Sequence, residues 1–199
     1  MIRTCRWTAP MGGVLALVVV AGPAWAGGGS VSKPFKISGE GIAPMGLPLP
    51  GQGAGPHWID GQATHLGRHH GEGTVVTDTA VVDLEDGVIT GEFGGGSPFV
   101  FEGANGDLLV TYYGRPEFGA EEVGTFTLDI LGVTAGGDLI VEAAWVAEFV
   151  VQPGASTGKF RGVTGSWIMY AYSDPFVLGS TDPAAYRWEG EGRLSFPKK

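Results

Sequence analysis

The sequence predicts an all-β domain of about ten strands, a sandwich or a barrel. Three observations point there. Apolar residues repeat at a period of two and nowhere, outside the extreme N-terminus, at helical spacing. Gly accounts for 36 of the 199 residues, against a usual ~7%, and clusters between the alternating runs as turn punctuation. Aromatic residues make up 11% of the chain, which supplies the large side chains that a small barrel needs to fill its interior.

The chain opens with Arg3 and Arg6, continues through the apolar run Val14 to Ala21, and closes on Ala24-Trp25-Ala26 before Gly27. This order of basic, apolar and small-residue segments is that of a secretory signal peptide over 1–26, with cleavage after Ala26. The apolar stretch, bracketed by Pro10 and Pro23, is too short for a bilayer-spanning helix, so no stable membrane insertion is expected. The expected destination is secreted or periplasmic. The single cysteine, Cys5, would leave with the signal, so the fold must hold without disulfides.

After export, 27–34 reads as a flexible leader and 35–199 as one domain. Phe35 to Gly41 is the first strand, followed by a loop over 42–58 dense in proline and glycine. Gln62 to His70, Thr74 to Leu84, Val88 to Phe93, Phe99 to Glu102 and Leu108 to Tyr113 follow as strands. Phe126, Leu128 and Ile130 alternate with Thr125, Thr127 and Asp129. Leu139 to Val151 sets Leu139, Val141, Ala143, Trp145, Ala147, Phe149 and Val151 on one face. Glu142 and Glu148 are outward if that odd face is interior, and buried candidate acids if it is not. Ser166 to Tyr172 is a further strand, and Ser173 to Ala185 a long loop. The clearest alternation comes last, with Tyr186, Trp188, Gly190, Gly192, Leu194 and Phe196 on one face against Arg187, Glu189, Glu191, Arg193 and Ser195.

Three motifs carry a resemblance. Thr157-Gly-Lys-Phe-Arg-Gly-Val-Thr-Gly-Ser166, entering Trp167-Ile168, is similar to the glycine-rich hairpin of the allene oxide cyclase and dirigent-type barrels, with Ser156 where that pattern has glycine. Gln62-Ala-Thr-His-Leu-Gly-Arg68 and Ala104-Asn-Gly-Asp107 resemble an early strand and a turn of uncharacterised secreted bacterial proteins of the same group. The resemblance implies a closed antiparallel barrel of about eight strands, calycin-like and often with an apolar cavity. No catalytic residue of that group can be placed here.

The chemistry-bearing residues are few. Gly154-Ala-Ser-Thr-Gly158 has the spacing of a nucleophile elbow, but no helix follows Ser156 to present its hydroxyl. All four histidines fall between residues 57 and 70. On one continuous strand His65 and His69 would share a face, and with His57 they are weak candidates for a metal site that is otherwise not expected. Gly158, Gly162 and Gly165 read as structural glycines. Tyr112, Trp145, Trp167 and Trp188 are the candidate ligand-binding residues, as aromatics that could line an interior pocket.

The formal net charge is −9, and export removes two cations more, which argues against a nucleic-acid partner. No cofactor is implied, and no oligomeric state can be read. The leading expectation is a non-catalytic secreted barrel that binds a small apolar or amphipathic ligand or serves as an interaction module. A cyclase or isomerase acting on a reactive lipid or phenolic intermediate is the alternative, and a structural surface protein the third reading.

Overall fold

A computed structural model describes residues 29–44 and 46–198. The signal peptide expected over 1–26 lies outside the described residues, as does Cys5. Twelve strands run β1 (Ser30–Ala43), β2 (Gly55–Ala63), β3 (Gly67–Thr77), β4 (Val81–Asp83), β5 (Val88–Gly95), β6 (Phe99–Gly103), β7 (Leu108–Tyr113), β8 (Gly124–Val133), β9 (Leu139–Val151), β10 (Thr164–Ser173), β11 (Phe176–Val177) and β12 (Ala184–Pro197). Two single turns of 3-10 helix, at Pro116–Phe118 and Gly158–Phe160, are the only helical elements among the described residues.

Every strand pairing is antiparallel. The sheet closes into an eight-strand ring in the order β10-β12-β1-β2-β3-β6-β7-β9 and back to β10. Its weld is the pairing of β1 with β12, which runs the full length of both strands from Ser30 opposite Pro197 to Ala43 opposite Ala184. Between β3 and β9 the ring forks. Residues His69 to Glu72 of β3 pair with β6, whereas Val75 to Thr77 pair with β5. Likewise β9 gives Phe149 to Val151 to β7 and Leu139 to Val146 to β8. The pairs β6–β7 and β5–β8 therefore bridge the same two strands at different heights.

The interior face follows the alternation. Trp188 and Leu194 of β12, Val141, Ala143, Ala147, Phe149 and Val151 of β9, and Phe126 and Leu128 of β8 are buried. Glu142 and Glu148 point outward, Glu142 exposed and Glu148 half-buried with its carboxylate accepting from the Glu121 amide. At the centre the rings of Phe149 and Trp167 stack 5.3 Å apart, Tyr113 and Phe149 4.7 Å apart, and Phe101 and Trp188 5.9 Å apart. Glycines on neighbouring strands make the space for them. A Cβ at Gly190 would come within 2.7 Å of Trp167, one at Gly71 within 2.7 Å of Phe99, and one at Gly39 within 2.9 Å of the Trp188 indole nitrogen. Much of the unusual glycine content is thus the volumetric complement of the aromatic content.

Four sequence expectations need correction. Residues 30–34 are not a free leader but the first part of β1, held by β12. The loop expected over 42–58 is shorter, because β1 reaches Ala43 and β2 begins at Gly55. Pro56 hid that strand. It lies beyond the stretch of β2 that pairs with β1 (Trp58 to Ala63), so its missing N–H costs that ladder nothing. Gln62 to His70 is not one strand but the hairpin of β2 and β3, turning at Thr64 to Leu66. Thr74 to Leu84 is likewise broken, between β3 and the short β4.

Candidate functional site

Beside the fork, Val75 of β3, Phe93 of β5 and Trp145 of β9 line one common space. An apolar hollow of about 60 Å³ opens there. Buried Val75, Phe93, Met169, Ala171 and Ala184 line it together with half-buried Trp145, and half-buried Leu47 and Phe176 and exposed Ala185 mark its solvent side, the mouth. Small side chains at Ala171, Ala184 and Ala185 stand beside large ones, and this mismatch creates the space.

Three polar side chains from three separate strands converge on it. His57 shares the inward parity of the buried Ile59 on β2. Tyr113 ends β7 on the face of Leu109 and Thr111, and Tyr186 enters β12 on the face of Trp188. The His57 Nε2 lies 2.8 Å from the Tyr113 hydroxyl, and its Nδ1 lies 2.8 Å from the Tyr186 hydroxyl. The Tyr113 hydroxyl is also 3.0 Å from the Thr74 carbonyl, to which it can only donate. It must then accept from His57, which places the imidazole proton on Nε2 and leaves Nδ1 to accept from Tyr186.

The cluster is electrically neutral. Burial holds the His57 imidazole down to about 4, since the ring is enclosed by Phe99, Tyr113 and Tyr186 and the charged form would lose its hydration. Burial, with Tyr186 nearby as a smaller cause, pushes the Tyr113 hydroxyl well above the ordinary tyrosine value, against a smaller opposing pull from Arg115. Burial alone pushes Tyr186 up. With both imidazole nitrogens engaged, His57 has no free lone pair for general-base work. The outward-facing polar capacity lies on the Tyr186 oxygen, whose other contact is a long 3.4 Å approach to the Trp58 carbonyl.

Of the four aromatics singled out from sequence, only Trp145 lines the hollow. Trp167 and Trp188 are 1% and 4% exposed and belong to the packed aromatic centre. Tyr112 is corrected to the outer surface, where it stacks on Phe118 at 3.7 Å. The run Leu108-Leu-Val-Thr-Tyr-Tyr113 has no polar alternation to mark a face, so nothing in it chose Tyr113 over Tyr112.

The histidines do not converge. His57 is in the hollow, His65 sits on the β2–β3 turn against Phe196, and His69 is buried between Phe101 and Trp188. Among the described residues no three His, Cys, Asp or Glu side chains stand together as a metal site. Ser156 is buried, its hydroxyl accepting from the Val110 amide at 3.0 Å and donating to the Gln152 carbonyl at 3.2 Å. It pins the connection between β9 and β10 and presents no nucleophile. In that connection Gly158, Gly162 and Gly165 all have positive φ, and a Cβ at Gly165 would lie 2.2 Å from the Arg193 carbonyl oxygen.

No protein-family profile matches the chain, and no curated protein or solved structure matches it either.

Proposed function

We propose that this is an exported ligand-binding protein whose eight-strand ring acts as a closed, calycin-like barrel of the allene oxide cyclase and dirigent-like type. The ligand is a small apolar or amphipathic molecule, and one end of it enters the hollow. One observation carries the reading: an apolar hollow ringed by small and aromatic side chains, with a neutral His57–tyrosine cluster at its wall. Such a combination of apolar lining and a few convergent polar groups is how small-molecule sites are built.

The volume sets the mode of binding. About 60 Å³ holds a few waters or one small ring, so the rest of the ligand lies across the mouth, against Phe176 and Ala185. A hydroxyl on the inserted part would donate to the Tyr186 oxygen, whose own proton goes to His57. Full engagement of the His57 nitrogens favours binding over proton transfer, so a cyclase or isomerase is the less supported reading. Export rests on the basic-apolar-small order of residues 1–26.

The test is a titration of the processed protein with fatty acids, terpenoids and phenolics, read by tryptophan emission and by calorimetry. Saturable quenching is expected. Trp145→Phe should remove the optical change while leaving the heat of binding. Tyr186→Phe should weaken ligands with a polar head by about 1 kcal/mol and leave pure hydrocarbons unaffected. If no ligand of the panel saturates, the structural-protein reading replaces this one, and if a bound compound is chemically altered, the enzyme reading does.

A further inference from the structure

At the other end of the ring the chain builds a groove of opposite character. It lies where β1 begins, β12 ends and β2 turns into β3. Ten residues of β1 separate Lys33 from Ala43 at the hollow, roughly 30 Å of strand. Lys33, Lys159, Arg161 and Lys198 line the groove together with His65, Gly158, Phe196 and Pro197, and among the described residues no acidic one lines it.

In a chain with 12 Lys and Arg against 21 Asp and Glu, four cations on one groove require an explanation, because each repels the others with little to offset it. Asp107, 3.8 Å from Lys159, is the one carboxylate that reaches the cluster among the described ion pairs. The cations are set on an aromatic floor. The Lys33 ammonium stands 5.1 Å above the Phe196 ring and the Lys159 ammonium 5.6 Å above Phe160, and the two rings are 6.1 Å apart. These contacts orient the lysine stems without neutralising them.

His65 is a second, independent sign. It is the one non-glycine residue with positive φ among the described residues, at 69°, a conformation that glycine or asparagine takes at lower cost. Its edge packs against Phe196 at 5.3 Å, and its Nε2 is buried with no hydrogen-bond partner. Four cations lining one groove call for a counter-charge, and a tetrahedral oxyanion supplies it, while the imidazole, once its ring turns from Phe196 into the groove, gains the acceptor its Nε2 lacks.

We infer that this groove is a binding site for a phosphate or sulfate group, formed by Lys33, His65, Lys159, Arg161 and Lys198 and independent of the apolar hollow.

The experiment titrates the processed protein with inorganic phosphate and with sulfate at constant ionic strength, chloride serving as the control anion, and reads binding by calorimetry and melting temperature. Saturable binding of phosphate or sulfate is expected, with no comparable response to chloride. Removing two charges with Lys33→Gln and Arg161→Gln should weaken it about tenfold or more. His65→Gly should melt no lower than the parent, since it relieves the backbone, and yet bind more weakly. Lys36→Gln makes the same charge change outside the groove, beside Glu191, and should leave binding intact. Co-sedimentation with phosphatidate vesicles, against phosphatidylcholine vesicles, then assigns the group to a lipid headgroup if vesicles bind and free phosphate does not compete, and to a soluble ligand if it does. Absence of saturable binding to both anions and to phosphatidate vesicles overturns the inference, as does an effect of Lys36→Gln equal to that of Lys33→Gln.

Discussion

His57 was visible in the sequence as one of four clustered histidines, but its role follows from partners 56 and 129 positions away. With the imidazole held neutral down to about 4 in the fold and titrating near 6.5 when unfolded, the unfolded chain binds the extra proton first. Stability should therefore be constant above about pH 6.5 and fall as pH drops towards 4, by on the order of 2–3 kcal/mol from this residue. His69, also held down chiefly by burial, acts in the same direction. Urea melts across pH 4 to 7.5 check this, and His57→Gln should flatten the slope. Gly165 shows the opposite case, a residue whose need could be suspected from its neighbours in the glycine-rich stretch. Its φ of 117° and the Arg193 carbonyl beside it leave no room for a side chain, so Gly165→Val should cost at least about 1–3 kcal/mol in thermal unfolding. Tyr112 and Tyr113 were indistinguishable by type and adjacent, and only the pleat separates them.

At the level of elements, alternation was the reliable signal and its interruptions the unreliable one. β9 runs over the residues its pattern marks, because a strand with one buried face must show period two. The β2–β3 turn escaped because its central position is occupied by His65 rather than glycine, so the residue that normally announces a tight turn was absent. β11, two residues long and held only by β9, has no sequence pattern to show. The glycines that face aromatic rings belong to this scale as well. Gly190→Ala would place a methyl 2.7 Å from Trp167 and 2.9 Å from the Ile168 carbonyl. Strand backbone on one side and a packed indole on the other leave little freedom to yield. The expected cost is about 1–3 kcal/mol, measurable by denaturant unfolding, where Gly137→Ala, with open space around its Cβ, would lose only what its positive φ demands.

The whole molecule closes by pairing its two ends, Ser30 with Pro197 and onward through both strands. Contacts of that sequence separation make folding slow for the chain's size, in the millisecond-to-second range or longer. They also make it cooperative, since no part of the interior is sealed until β1 and β12 meet. Circular dichroism and tryptophan emission should therefore report one coincident transition. Reductant should not shift it, because a chain with one cysteine forms no internal disulfide. Removal of residues through Pro34 should lower the melting temperature, since it strips five paired residues from the weld and bares the edge of β12 at Arg193 to Pro197. A truncated protein with an unchanged melting temperature would mean that the weld begins only at Phe35.

What the sequence determined by itself was the class of structure: all-β, antiparallel, and folded without disulfides. Period-two patterning and turn residues are local, and the physics that selects strands acts locally too. What only the tertiary structure decided was which residues meet. The hollow beside the ring fork, the neutral His57 between Tyr113 and Tyr186, and the cationic groove around His65 each join strands or turns far apart in sequence. Their geometry depends on register and on which face of each pleat turns inward, and a one-residue slip would reverse both.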